Sequence, residues 1–300
     1  MYPAPPTPIG ADGKILETAL RALLYDNISH GADGFWMAGT TGEGPLLSEV
    51  QRDAVAQISA DACRGRAQVI MHVGAITTAA AVRAARTAAE AGRAGVSCLP
   101  PFLFQSNEAS IVAHYQAVAD AAGDKAFFVY NLPQLTQVEI TPRLLEQLQR
   151  AIPNLRGLKH SADNFAAIKV FADMGLACFS GNGAFPLPAL TMGAAGTIDA
   201  PLSLAPWHYA ALYRAWRSGE LRRAEALQSG VRPVVDLIWQ HRAFTDVCKL
   251  VLTRRLGVDC GRAVPPVIRL SEAQAEWSTT RAEALGLFAP PAQSSTTIKS

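Results

Sequence analysis

Three kinds of polar side chain, each at the end of a short apolar run, could together form one chemical site. Lys159 lies near the end of residues 155–160, Tyr130 near the end of residues 126–131, and Thr40 and Thr41 follow residues 34–38. Burial favours the neutral amine of a lysine, which can attack a ketone and form an imine. The imine withdraws electrons, so a carbon–carbon bond beta to it can be made or broken without a metal or an organic cofactor. A phenol nearby would carry the protons.

Each of these residues also has an ordinary explanation. A lysine near a strand end usually reaches to water, and a tyrosine at a rim usually keeps its hydroxyl there. The stretch 39–44 is a glycine-rich turn in which hydroxyls commonly make local hydrogen bonds. The functional interpretation requires that the lysine, the tyrosine and this turn lie close together in the fold. The N–H groups and hydroxyls of the turn would then hold the carboxylate of a 2-oxo acid.

The elements that must position these residues alternate between short apolar runs and helical segments as far as about residue 218, which is typical of parallel strands joined by helices. The predicted strands are residues 2–8, 34–38, 68–73, 96–100, 126–131, 155–160, 177–181 and 196–200. Eight such units predict an α/β fold of the (β/α)8 or TIM-barrel class, in which the active site lies at the carboxyl ends of the strands. The glycine-rich turn of a dinucleotide-binding sheet does not occur in the sequence.

After the predicted barrel, residues 1–218, the pattern becomes helical. Residues 221–230, 234–257 and 271–285 have the apolar spacing of helices. The sequence therefore predicts a small C-terminal helical domain over residues 219–289 and a disordered polar tail over residues 290–300.

Composition excludes several classes of protein. Hydrophobic residues make up 49% and charged residues 17% of 300 residues, which suits a large globular core. The absence of a long apolar run and of a secretory signal predicts a cytoplasmic protein without a membrane partner. A net charge of +2 without a basic patch argues against nucleic acid. Five dispersed cysteines without a C-x-x-C pair predict free thiols and no metal site, and the imine chemistry predicts no cofactor.

Five short motifs occur in an order and spacing that resembles a known family: Gly39-Thr40-Thr41-Gly42-Glu43, Tyr130-Asn131-Leu132-Pro133, Gly157-Leu158-Lys159, Ser180-Gly181 and Gly193-Ala194-Ala195-Gly196-Thr197-Ile198. The chain resembles the dihydrodipicolinate synthase/N-acetylneuraminate lyase family, pyruvate-handling class I aldolases built as (β/α)8 barrels with a helical C-terminal domain. The resemblance covers nearly everything from residue 3 to about residue 285.

The resemblance implies a role for each matching residue. Lys159 corresponds to the Schiff-base lysine and Tyr130 to the proton-relay tyrosine. Thr40 and Thr41 correspond to the carboxylate-binding pair, and Thr41 joins the lysine and the tyrosine as the third predicted catalytic residue. Gly181 and Ile198 correspond to positions that line the pyruvate pocket through their backbone. The resemblance also implies a homotetramer built as a dimer of dimers.

The chain departs from the synthase branch of this family at several positions. Leu135 replaces an arginine that grips the carboxylate of the second substrate, and a bidentate donor is therefore lost. Phe102 follows Pro101 where that branch has a relay tyrosine. Asn182 replaces a residue that is often acidic in related sequences. Ser161, two residues after the lysine, should point to the same side of the strand as the lysine. Asn182 and Ser161 could both bind hydroxyls of a sugar-acid substrate.

Two further residues have open roles in the sequence. His72 lies inside the third predicted strand, where a histidine is more often a core residue than a catalyst. Asp199, near the end of the eighth, could contact substrate or cap the next loop. The residues of loops 134–137 and 199–203 should build the pocket for the aldehyde half.

The leading hypothesis is a lyase that acts on a 2-oxo acid of the 2-keto-3-deoxy sugar acid type and releases pyruvate and an aldehyde through an imine on Lys159. Two alternatives keep the imine: a sugar-acid dehydratase, and a 4-hydroxy-tetrahydrodipicolinate synthase-type enzyme with a different aldehyde partner. A third is a 2-oxo acid binding protein without turnover, suggested by the residue after Pro101.

Overall fold

The computed structural model describes residues 1–92 and 94–289. This part of the chain contains eight parallel strands in the order β1-β8-β7-β6-β5-β4-β3-β2. The strands are β1 (Tyr2–Pro3), β2 (Gly34–Met37), β3 (Gln68–His72), β4 (Ala94–Cys98), β5 (Phe127–Asn131), β6 (Leu155–His160), β7 (Ala177–Ser180) and β8 (Gly196–Asp199). At the two edges of the sheet, Asp33 N–H donates a hydrogen bond to the Met1 carbonyl over 3.0 Å. The sheet is thus a nearly closed barrel, and the predicted fold class is confirmed.

Helices connect successive strands and continue beyond the last. They are α1 (Glu17–Ser29), α2 (Glu49–Ala62), α3 (Thr78–Glu90), α4 (Glu108–Ala121), α5 (Pro133–Thr136), α6 (Pro142–Ala151), α7 (Ala167–Asp173), α8 (Pro186–Thr191), α9 (Pro201–Leu204), α10 (Pro206–Arg217), α11 (Leu221–Ser229), α12 (Arg232–Trp239), α13 (Phe244–Leu256) and α14 (Glu272–Ala284). Within the described ranges, no helix is long and apolar enough to cross a membrane.

Two apolar layers form because neighbouring side chains of a strand point to opposite faces. The larger core lies between strands and helices, and a smaller cluster fills the barrel interior, with Trp36, Phe128, Tyr130 and Ile198 among its members. His160 belongs to the outer layer, where its ring packs edge-on against Phe171 at a centroid distance of 5.3 Å. His160 therefore packs between its strand and a helix.

The first strand is shorter than predicted, Tyr2–Pro3 instead of residues 2–8. Its ladder ends with the hydrogen bond from Ala4 N–H to the Asp199 carbonyl, 3.1 Å long. Prolines at positions 5, 6 and 8 have no N–H to donate, so the pairing cannot continue.

The single helix predicted over residues 234–257 is wrong, because α12 ends at Trp239 and α13 begins at Phe244. Between them Arg242 adopts a φ of 55°, which a helix does not allow. The reversal lets the rings of Trp239 and Phe244 stack at a centroid distance of 5.2 Å. Apolar periodicity alone does not reveal this packing.

Two charged contacts attach α13 to the barrel. Lys249 forms an ion pair with Glu43 over 2.6 Å, and both side chains are buried. Arg255 pairs with Asp26 of α1 over 2.7 Å. The boundary between residues 218 and 219 stays a prediction, and the predicted tail over residues 290–300 lies outside the described residues. All five cysteines are free and buried, as expected.

Candidate active site

Lys159 and Tyr130 face each other across neighbouring strands at the carboxyl end of the barrel. They are register partners of β6 and β5. The amine Nζ donates a hydrogen bond to the phenol oxygen over 3.2 Å and lies 4.4 Å from the centroid of the ring. The lysine is only 4% exposed. The structure therefore holds a buried amine against a hydroxyl that can exchange a proton with it.

Aromatic rings of the barrel interior support this pair from below. The Trp36 ring centroid lies 5.5 Å from the lysine Nζ and packs edge-on against Tyr130. His72 also packs edge-on against Tyr130, at 5.8 Å between ring centroids. Both ring nitrogens of His72 are buried without a hydrogen-bond partner. Burial, helped by the positive charges of Arg52 and Lys159, lowers the pKa of His72 to about 3, so this residue is a neutral part of the floor.

The loop after β2 brings the predicted hydroxyls to the pair. Thr40 Oγ1 lies 3.5 Å from the Tyr130 hydroxyl, and Thr41 is buried beside it at the mouth of the cleft. The N–H groups of Glu43 and Gly44 donate within the loop, to the carbonyls of Thr40 and Gly39. Any carboxylate bound here would therefore meet the hydroxyls and N–H groups of residues 40–42.

The tight turn of this loop depends on Gly44 and on a buried acid. An added Cβ at Gly44 would lie 1.7 Å from the Ala38 carbonyl oxygen, so no larger residue fits. Glu43 adopts a φ of 56° and accepts a hydrogen bond from Val264 N–H over 2.6 Å. Together with the ion pair to Lys249, this contact fixes the loop to the C-terminal helices. Glu43 thus braces its own loop.

Two of the other predicted binding residues lie beside the amine, whereas the third lies below it. Ser161 lines the cleft and its Oγ is buried without a partner. An added Cβ at Gly181 would lie 1.7 Å from this Oγ and 3.1 Å from the lysine Cε, so a larger residue there would have to displace the serine hydroxyl. Ile198 is fully buried in the barrel interior, and its side chain is not part of the cleft wall.

Asp199, Asn182 and Leu135 differ in their contacts and in their exposure. Asp199 caps the next turn by accepting hydrogen bonds from Gly183 N–H and Ala200 N–H, over 2.7 and 2.8 Å, and it also lines the cleft. Burial raises its pKa, although Lys159 and the two N–H donors oppose the shift. Asn182 is exposed, and its Oδ1 accepts a hydrogen bond from Ala184 N–H. Leu135 lines the cleft and is 61% exposed.

The cleft above Lys159 has a volume of about 1120 Å³ and extends towards the C-terminal helices. Sequence reasoning missed most of its outer wall. The missed residues are Phe165, Phe185, Pro188, Val235, Ile238, Trp239 and Phe244. Phe165 and Phe185 carried a signal, since each follows the end of a strand closely, whereas α12 and α13 reach the cleft from a part of the chain that no strand end marks. In the described part of the chain, no three His, Cys, Asp or Glu side chains converge as metal ligands would.

Comparison with known proteins gives consistent matches along the chain. A family model described as the dihydrodipicolinate synthetase family matches residues 1–284. A 4-hydroxy-tetrahydrodipicolinate synthase of Syntrophus aciditrophicus (strain SB) is 32% identical over 269 residues, which cover 88% of this chain and 91% of the relative. An N-acetylneuraminate lyase of Salmonella typhi is 29% identical over 242 residues, 79% of this chain and 80% of the relative.

The fold has close counterparts among solved structures. The wild-type sialic acid aldolase of Ruminococcus gnavus superposes with a TM-score of 0.91 at 24% sequence identity, over 95% of this chain and 96% of that one. At this level of identity the likeness concerns the fold.

Proposed function

The chain belongs to the dihydrodipicolinate synthetase family, and from this premise we propose that it is a pyruvate-dependent class I aldolase with Lys159 as the imine-forming residue. The observation that carries the proposal is the 3.2 Å hydrogen bond between the lysine Nζ and the Tyr130 hydroxyl, at the base of an open cleft. A nucleophile and a proton carrier within hydrogen-bond distance are what imine chemistry requires.

In the first half of the reaction, the 2-oxo acid becomes attached to the enzyme. The acid places its carboxylate at Thr40 and Thr41. The amine of Lys159 attacks C2, a carbon–nitrogen bond forms, and the carbonyl oxygen leaves as water after taking up protons through Tyr130. The product is a protonated imine next to the reacting carbons.

In the second half, the imine accepts the electrons of the bond that breaks. The C4 hydroxyl of the substrate loses its proton, the C3–C4 bond breaks, and the aldehyde departs while an enamine remains on Lys159. Protonation of C3 and hydrolysis of the imine then release pyruvate and restore the amine. Condensation runs through the same steps in reverse.

The alternatives drawn from the sequence are not favoured. Leu135 provides no donor for a second carboxylate, so a synthase-type reaction with a carboxylate-bearing aldehyde is not supported. A binding protein without turnover would not need a phenol on the amine. The assignment of the substrate to the 2-keto-3-deoxy sugar acids stays a prediction from the sequence, because it depends on the aldehyde half of the substrate alone.

Exchange of the C3 protons of pyruvate tests this function without knowledge of the aldehyde. In D2O, the imine and enamine should replace the methyl protons of pyruvate by deuterium, which proton NMR follows directly. We expect exchange with the wild-type chain and none with Lys159→Met. The control Lys169→Met removes an exposed lysine that pairs with Asp173 outside the cleft, and it should exchange normally. Absence of exchange in the wild-type chain would contradict the proposal.

We also propose that the enzyme is a cytoplasmic homotetramer, as the family resemblance implies. Leu103 and Phe104, 73% and 74% exposed, supply apolar surface of the kind that subunit contacts use. Sedimentation equilibrium should give four times the chain mass, and a monomer at micromolar concentration would contradict the tetramer.

A further inference from the structure

The outer half of the cleft is built from aromatic and aliphatic side chains. Phe165 and Phe185 meet edge-on at 6.0 Å between ring centroids on one wall, and Trp239 stacks on Phe244 on another. Aliphatic side chains and prolines complete the surface: Leu132, Leu135, Pro188, Pro201, Val235 and Ile238. This composition suits an apolar ligand whose ring can pack against other rings.

Several of these large apolar side chains are exposed to water. Trp239 is 58% exposed, Leu135 61% and Phe185 45%. They surround one cavity that is continuous with Lys159. Exposed apolar side chains that surround one cavity are typical of a ligand-binding groove, whereas ordinary apolar residues of a surface are scattered singly.

Three polar side chains of the outer cleft are already engaged with the protein, whereas the Ser161 Oγ beside the amine has no partner. Asp199 accepts from two backbone N–H groups, and Asn182 Oδ1 accepts from Ala184 N–H. Gln134 Nε2 donates to the Ser161 carbonyl and to an Asp163 oxygen. A chain with several hydroxyls would have to compete with these bonds, and polar groups left unpaired in a buried site weaken binding.

Charge disfavours a second carboxylate. Among the described residues that line the cleft, Lys159 is the one cation, and the imine uses its nitrogen. The charged side chains elsewhere in the wall are the acids Asp163 and Asp199. An anionic aldehyde would therefore meet like charges and no guanidinium.

From these observations we infer, in place of the sugar-acid type predicted from the sequence, that the aldehyde partner is neutral and apolar and of the size of an aromatic ring. This inference rests on the proposed function, since it concerns the other half of the same substrate. The volume of about 1120 Å³ accommodates a ring beyond the pyruvate position. In condensation, C3 of the enamine attacks the aldehyde carbon, one carbon–carbon bond forms, and the aldehyde oxygen takes up one proton. Hydrolysis of the imine then gives a 4-hydroxy-2-oxo acid with the ring on C4.

The inference is tested by condensing pyruvate with benzaldehyde, D-glyceraldehyde or glyoxylate and measuring each product by mass spectrometry. We expect kcat/KM for benzaldehyde to exceed that for the other two by about 10-fold or more, the range in which apolar pockets discriminate. Exchange at C3 of pyruvate is recorded in the same samples. Exchange together with a preference for glyceraldehyde or glyoxylate would overturn the inference and leave the proposed function standing. Absence of exchange would overturn both.

A pair of tryptophan variants tests the wall itself. Trp239→Ala should lower the ratio of kcat/KM for benzaldehyde over acetaldehyde by about 10-fold, because the ring contact is lost. The control Trp277→Ala removes a tryptophan that is 43% exposed on α14, outside the cleft, and it should keep the ratio. An unchanged ratio in Trp239→Ala, or an equal loss in both variants, would contradict the assignment of this wall to the aldehyde.

Discussion

The buried ion pair between Glu43 and Lys249 predicts a large and specific loss of stability when one partner is removed. The carboxylate and the ammonium lie 2.6 Å apart, and the two side chains are 1% and 0% exposed. The variant Lys249→Met leaves a buried carboxylate that keeps its hydrogen bond from Val264 N–H. Removing one partner of such a pair costs about 3–5 kcal/mol, compared with about 0–1 kcal/mol for an exposed pair.

A double-mutant cycle measures this effect by urea-induced unfolding. We expect Lys249→Met to lower the free energy of unfolding by about 3–5 kcal/mol, and Glu43→Gln with Lys249→Met to recover part of the loss, because no buried charge then remains. The control Lys14→Met removes an exposed lysine paired with Asp12 and should change stability by less than about 0.5 kcal/mol. A loss below about 1 kcal/mol in Lys249→Met, or strict additivity in the double variant, would refute the reasoning.

Three further perturbations test the site and its floor. Tyr130→Phe keeps the ring on the lysine but removes the hydroxyl 3.2 Å from Nζ, so the rate of pyruvate C3 exchange by NMR should fall by about 10²–10⁴; an unchanged rate would exclude the phenol as proton carrier. Gly181→Ala places a Cβ 1.7 Å from Ser161 Oγ and should raise KM for pyruvate by about 10-fold or more. Adding Ser161→Gly should restore much of the affinity. An unchanged KM in Gly181→Ala would contradict a steric role of Gly181 in the pocket. The pKa of His72, about 3 when folded, lies below the unfolded value of about 6.5, so stability is lost as pH falls below 6.5 because the unfolded chain binds the proton first. Between pH 7 and 4.5 the wild-type chain should lose about 2–3 kcal/mol more than His72→Gln in urea unfolding, and equal losses would contradict the depressed pKa.

The barrel and its central pair could be predicted because they depend on local patterns. The run over residues 155–160 is apolar and short, and the structure places β6 at Leu155–His160. Once eight parallel strands are accepted, their carboxyl ends meet at one rim, so the convergence of Tyr130 and Lys159 follows from the topology. The register that pairs these two residues needed the structure.

The apolar wall could not be predicted, because it depends on packing between distant segments. Trp239 and Phe244 reach the cleft through a reversal at Arg242 that interrupts a continuous helical pattern. In the same way, the partner of Glu43 lies some 200 residues away on α13. Apolar periodicity reports which face of a helix is buried but not which neighbour it meets.

The most direct measurement of the central claim is reductive trapping of the imine. The chain is incubated with pyruvate and sodium borohydride, digested, and its peptides are mapped by mass spectrometry. The account predicts a reduced pyruvate adduct on the peptide that carries Lys159, its presence in Lys169→Arg and its loss in Lys159→Arg. Absence of any adduct, or an adduct that persists in Lys159→Arg, would contradict it.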